Sequence, residues 1–158
     1  MRGRTPRRPT IASLSVASAL VVRFLSDAWV ARIDDAARAA NDLAADPPFT
    51  VETVVQGADG DAGYRVRFGP EGATVGRPGG GSADVVLVTD LATAWALHQG
   101  EVRAQEAFAR GALKVRGRPE LLATQIDLLA ALDRALAPVR AGTTPPDGTS
   151  DPSLFGAR

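Results

Sequence analysis

Cysteine is absent from the 158 residues. That removes disulfides, thiolate nucleophiles and Cys-ligated zinc or iron–sulfur centres together. Histidine occurs once, as His98, so no group of imidazoles is available to hold a metal. A Ser–His–acid triad would need that one imidazole, and no Gly-x-Ser-x-Gly turn supplies its nucleophile. No apolar run reaches the roughly 18–20 residues that span a bilayer. Aromatic residues make up only 5% of the chain, which leaves leucine, valine and alanine to build the core.

What remains is ordinary for a globular domain: 45% hydrophobic and 23% charged residues in a chain long enough for one domain with tails. The zero net charge is unevenly spread. Arg2, Arg4, Arg7 and Arg8 fall in residues 1–22 with no acid, leaving fourteen basic and eighteen acidic residues beyond them. The remainder is therefore acidic, a poor match for nucleic acid, whose phosphates supply most of such affinity. The arginines precede a mildly apolar stretch, 11–22, in the order of a secretory signal. Three serines weaken that stretch, and its one Ala-x-Ala, at 17–19, lies inside it. Residues 1–22 are expected to be a disordered or mis-started extension and the protein cytoplasmic, with export as the alternative.

Ser26 is a natural N-cap with Asp27 in the first turn, and Trp29, Ile33, Ala36, Ala40 and Leu43 recur at helical spacing up to Asp46-Pro47-Pro48. Strands follow at 50–56, 64–68, 73–76 and 83–89, the second alternating as Tyr, Arg, Val, Arg, Phe. Short turns between them predict an antiparallel meander. Residues 90–99 return to helical spacing, with Leu91, Ala94, Trp95 and His98 on one face and Gly100 as the stop. A short helix at 101–110, a strand at 112–116 and a leucine-rich helix at 119–137 complete the order, with Pro138 expected to end the last helix. Residues 142–158 read as a disordered tail by composition.

Few residues suggest chemistry. His98 is expected to be a capping or partly buried side chain. Gly79-Gly80-Gly81-Ser82 lacks a following Gly-Lys-Ser/Thr and precedes a strand, so it reads as a loop, not a phosphate cradle. Asp34 and Asp35 are adjacent on a helix and read as solvated surface. Glu101 and Glu106 would act as acid or base only if buried near a cleft. Arg116 and Arg118 read as a solvated edge. The chain is expected to carry no catalytic residue, metal or cofactor.

The block 89–117 carries a resemblance. An Asp90-led helix ends in Gly100; then come Ala104-Gln105, Ala107-Phe108 and Gly111-Ala112-Leu113-Lys114-Val115-Arg116-Gly117, followed by a leucine-rich helix. This resembles the sterol carrier protein lipid-transfer family, bacterial type. The opening Phe24-Leu25-Ser26-Asp27-Ala28-Trp29 is similar to the start of its bacterial members, and the resemblance covers about residues 24–139.

It implies an α+β fold, with a five-stranded, mostly antiparallel sheet covered by helices and an apolar tunnel between them, in a domain spanning 23–141. It also implies non-catalytic binding, and transfer, of a sterol, fatty acid or fatty acyl-CoA. The partner would be a small lipid, with transient membrane contact and a monomer or weak homodimer. The ligand-binding residues would be Trp95, Gln105, Phe108, Leu113, Val115, Leu121, Leu122, Ile126 and Leu129. In this reading Gln105 meets a headgroup, Trp95 shapes the tunnel, and the apolar residues line it. Burying a sixteen-carbon chain gains on the order of 12 kcal/mol gross at about 0.8 kcal/mol per CH2, from which lost ligand freedom subtracts several kcal/mol. The alternatives are a filled core, with the fold serving as a scaffold or dimerisation module for a partner enzyme, and for Gln105 a local backbone hydrogen bond.

Overall fold

The computed structural model describes residues 21–58, 60–79 and 81–146. The expected extension at 1–20 and most of the expected tail, 147–158, lie outside them. Helix α1 (Asp27–Ala39) starts where its cap predicts: the Ser26 hydroxyl accepts from the Trp29 N–H at 3.1 Å. It ends earlier than proline alone would require, because Ala40 is already extended. Leu43 and Ala45 are buried in the loop that follows, and the Ala45 N–H donates to the Gly69 carbonyl.

The main sheet comprises β2 (Phe49–Gly57), β3 (Gly60–Gly69), β4 (Gly72–Gly76), β5 (Val85–Asp90) and β6 (Leu113–Gly117), in the order β4-β3-β2-β5-β6. Its other neighbouring strands pair antiparallel as expected, but β5 runs parallel to β2, with Val51 opposite Val85. The simple meander is therefore broken by a crossing at 77–84. This loop is tied to the strands by Arg65, which donates to the Gly81 carbonyl, and by Asp84, which accepts the Thr50 N–H. Where β6 leaves the sheet, Gly117 has φ +87° and a Cβ there would lie 2.3 Å from the Asp84 carbonyl oxygen, so only glycine fits.

Register places alternate residues on one face: Phe49, Val51 and Val55 beside Phe68 and Val66, then Ala73 and Val75 on one side and Val85, Leu87 and Thr89 on the other. Helix α1 packs over β4 and closes this half of the core, burying Trp29, Ile33, Ala37, Phe68 and Ala73. Asp34 helps to seat it. One carboxylate oxygen accepts the N–H of Val75 at 2.8 Å and the other accepts from Arg38. The expectation that Asp34 is plain solvated surface is thus corrected: it supplies a partner to the edge strand β4.

Helices α2 (Leu91–Gln99) and α3 (Ala104–Ala109) follow β5. Asp90 caps α2 by accepting the Thr93 N–H, and Gly100 closes it in the left-handed region at φ +77°. The single terminal helix expected at 119–137 is two helices, α4 (Glu120–Thr124) and α5 (Ile126–Ala141), broken at Gln125. Pro138 does not end α5; the helix continues through it to Ala141, whereas sequence placed the stop there. A proline so near a helix end sacrifices one backbone hydrogen bond and keeps a helical φ.

Beyond α5, β7 (Thr143–Thr144) pairs in parallel with β1 (Val22–Arg23), with Val22 opposite Thr143. This ribbon brings Val22, Thr143 and Thr144 against the folded unit, outside the 23–141 span drawn from sequence.

Candidate functional site

The apolar core has two textures. Under α1 it is solid. Under α2, α4 and α5 it is half-open: Leu87 and Val115 from the sheet, Leu91 and Trp95 from α2, Leu121 and Leu122 from α4, and Leu128, Leu129, Leu132 and Leu136 from α5 pack against the buried cluster while each keeps some exposed surface. Within α5 only Ala131 and Val139 are buried. The physical reason lies in the packing partners. Helix α5 lies against α1 and α4, and its leucines pack on the buried cluster without being enclosed by it.

Six of the nine residues singled out by sequence are placed in or beside this layer. Trp95, Val115, Leu121, Leu122 and Leu129 are in it, and Leu113 is buried on β6. Three are not brought there. Gln105 is exposed, Phe108 is 56% exposed and Ile126 is 54% exposed. The six-residue α3 turns only Ala107 inward, which leaves Gln105 and Phe108 outside. The break at Gln125 resets the helical phase, so Ile126 no longer continues the stripe of Leu122. An open cleft of about 590 Å3 lies elsewhere, between α1 and α5, lined by Arg32, Asp35, Ala36, Pro138, Val139, Ala141 and Gly142. None of the nine residues lines it.

One end of the layer is aromatic and polar. The His98 ring stacks on Phe24 with centroids 5.0 Å apart and stands edge-on to Trp29 at 5.4 Å, while Trp95 lies 5.3 Å from Phe24. Burial lowers the His98 pKa to about 4, helped by the charge of Arg140 and opposed by Asp133. The imidazole is therefore neutral at pH 7. Tyr64 meets Trp29 edge-on at 5.2 Å, and burial raises its hydroxyl pKa, with a hydrogen bond from the Thr53 side chain acting the other way. Among the described residues, Trp29 Nε1, His98 Nε2, Gln99 Nε2 and Arg140 Nε are buried without a hydrogen-bond partner. Sequence reasoning singled out none of Phe24, Trp29 or Arg140 for this role. Trp29 read as an apolar position of the first helix and Phe24 as part of the opening segment that carries the resemblance, and Arg140 falls two residues beyond the proline taken as the helix stop.

Among the described residues no group of three or more His, Cys, Asp or Glu side chains could hold a metal ion. None of their helices is long and apolar enough to cross a membrane.

A five-stranded sheet with one closed and one half-open helical layer defines a small α+β fold with an apolar layer that retains accessible surface. The chain belongs to the SCP-2 sterol transfer family, whose model matches residues 30–130. Solved structures share the fold. A crystal structure of sterol carrier protein 2 superposes with a TM-score of 0.52 at 16% identity, covering 75% of this chain and 98% of that one. The solution structure of a conserved hypothetical protein from Thermus thermophilus, described as possibly a sterol carrier protein, gives 0.53 at 21%, covering 79% and 93%. Palmitated SCP2L2 from Aedes aegypti gives 0.52 at 16%, covering 64% and 90%. Among curated proteins none matches.

Proposed function

We propose that this protein binds a lipid between the β5–β6 half of its sheet and the α2, α4 and α5 layer, without catalysis. The observation that carries the reading is the half-open leucine stripe. Leu121, Leu122, Leu128, Leu129, Leu132 and Leu136 pack on the core yet each leaves apolar surface uncovered. Uncovered hydrocarbon next to a core is what a long alkyl chain would cover, at about 25 cal/mol for each Å2 removed from water. Membership of a sterol transfer family supports the same reading. So does the structural likeness to a palmitated relative, which names a fatty acid as the class of ligand to try first.

The test is to purify the full chain, extract bound small molecules under native conditions and identify them by mass spectrometry, alongside titration with a fluorescent fatty acid. Co-purifying lipid and saturable micromolar uptake are expected. A chain that emerges empty and takes up neither fatty acid nor sterol would return the scaffold reading.

A further inference from the structure

We propose that the outer edge of β6 receives an extended acidic segment of another protein, which adds to the sheet as a sixth strand. The two ends of the sheet are finished differently. At the β4 end, Asp34 reaches across from α1 and accepts the Val75 N–H at 2.8 Å. At the other end β6 pairs with β5, and among the described residues no strand lies on its far side. The Arg118 N–H donates to the Asp84 carbonyl at 2.8 Å, which makes 84 and 118 a hydrogen-bonded pair. Alternation along an antiparallel ladder then turns the backbone of Lys114 and Arg116 toward Val88 and Val86, and that of Leu113, Val115 and Gly117 outward. Among the described residues nothing bonds the outward N–H or C=O of Val115 or Gly117.

The side chains of this edge select the sign of what can pair with it. Lys114 and Arg116 are exposed on one face of β6, and among the described residues neither has an ion pair or a side-chain hydrogen bond. Arg118, the next on that face, is answered by Asp84 at 3.9 Å and Glu120 at 3.6 Å. Charges on an edge strand discourage pairing between copies. A second β6 added antiparallel about Val115 would bring each Lys114 against an Arg116, and like charges directly opposite one another destabilise a ladder. A strand carrying carboxylates two residues apart reverses the sign of both contacts.

The other face of β6 fixes the residue between those carboxylates. Val115 packs against the apolar core and keeps some exposed surface. A partner residue opposite Val115 points to the same side, so an apolar one extends the cover over Val115. The edge therefore matches an acidic–apolar–acidic segment in extended conformation. Backbone hydrogen bonds to Val115 and Gly117 supply affinity, and the alternating side chains supply selectivity, as in other cases of strand addition. The site is the outer edge of the sheet, and its occupancy does not depend on lipid binding.

The experiment titrates the 15N-labelled full chain with the peptide acetyl-Ser-Val-Glu-Val-Glu-Val-Ser-amide and follows the backbone amides by NMR. Saturable shifts concentrated at 113–117 are expected, with slowed hydrogen exchange at the Val115 and Gly117 amides and weaker binding as salt is raised. The same peptide N-methylated at its central Glu-Val-Glu should bind at least tenfold more weakly, because it cannot donate to the edge. A peptide with lysine in place of both glutamates should not bind wild type. The double variant Lys114→Glu, Arg116→Glu should reverse this preference, losing the glutamate peptide and gaining the lysine one. Both positions are exposed, and unchanged circular dichroism confirms that the variant folds. Equal binding of the N-methylated peptide would mean attraction of charge without a sixth strand and would overturn the proposal. So would absence of binding by wild type. Binding of phosphatidylglycerol vesicles that the double variant loses, with no peptide binding, would make the edge a membrane contact and overturn it too. A wild-type dimer in sedimentation that protects the Val115 amide would give the edge to a second copy, again against the proposal.

Discussion

The imidazole of His98, at the end of α2, lies stacked on the phenyl ring of Phe24, with centroids 5.0 Å apart and ring planes 26° from parallel. Phe24 follows β1 and precedes α1, so the stack fastens the start of the folded chain to the middle of it. It also sets the protonation state. A ring packed against Phe24, Trp29 and Trp95, with Arg140 nearby, is held neutral.

A pH dependence follows. The His98 pKa is lowered from 6.5 to about 4 in the folded protein. Between those values the unfolded chain holds a proton that the folded one excludes, so this residue's contribution to stability falls as pH drops through that window. Above 6.5 and below about 4 the contribution is flat. Urea denaturation of wild type and His98→Phe from pH 7.5 to 3.5 should show the stability difference moving against wild type between pH 6.5 and 4. The two other charged groups near the ring, Arg140 and Asp133 on α5, are common to both proteins. A difference that does not change with pH would mean that His98 is solvated.

The two textures of the core predict unequal costs for similar truncations. Ile33 is fully buried under α1, and Ile33→Ala should cost about 3–4 kcal/mol, the range for truncating closely packed side chains. Leu129 is only partly buried in the open layer, and Leu129→Ala should cost about 1 kcal/mol because less buried surface is lost and the site can collapse. Chemical denaturation measures both. Equal costs would show that α5 closes the layer completely in solution.

Asp34 is expected to matter more than a surface helix acid normally does. Its side chain accepts the Val75 N–H at 2.8 Å, and removing it leaves that half-buried donor unpaired. Asp34→Ala should destabilise by about 1–3 kcal/mol, with faster amide hydrogen exchange at Val75. Asp35→Ala, one residue on and exposed, should be within about 0.5 kcal/mol of wild type.

Leu122→Glu places a carboxylate in the half-open layer. Exposed surface around Leu122 allows the protein to fold, so circular dichroism should be unchanged. Uptake of a fluorescent fatty acid should fall more than tenfold, because an alkyl chain would have to share the layer with a charge that resists leaving water. Undiminished uptake by the folded variant would move the ligand out of this layer.

Much of the fold was legible because its signals are local. Ser26 caps α1 and Asp90 caps α2 through hydrogen bonds that span three residues. The alternation from Tyr64 to Phe68 shows which side of β3 is buried before any partner strand is known. The site was legible only in part. Leu113 and Phe108 belong to one sequence block, yet Leu113 is buried and Phe108 is exposed. Helix α3 is too short for its periodicity to reveal which side it turns inward. Ile126 matched a continuous helix, and the break at Gln125 turned it outward. Nothing in the sequence marked Arg140, whose charge acts on the His98 ring of another helix.

The amino-acid sequence by itself determined the element types, the caps, the inventory without cysteine or a second histidine, and the resemblance of residues 89–117 to lipid carriers. Each of these depends on neighbours a few residues apart or on composition. Only the tertiary structure decided that β5 runs parallel beside β2, that the core is solid under α1 and half-open under α5, and that Phe24, Trp29, Trp95 and His98 share one corner. Such facts join residues tens of positions apart along the chain. They are set by which surfaces exclude water most completely, a competition among distant segments that no local pattern records.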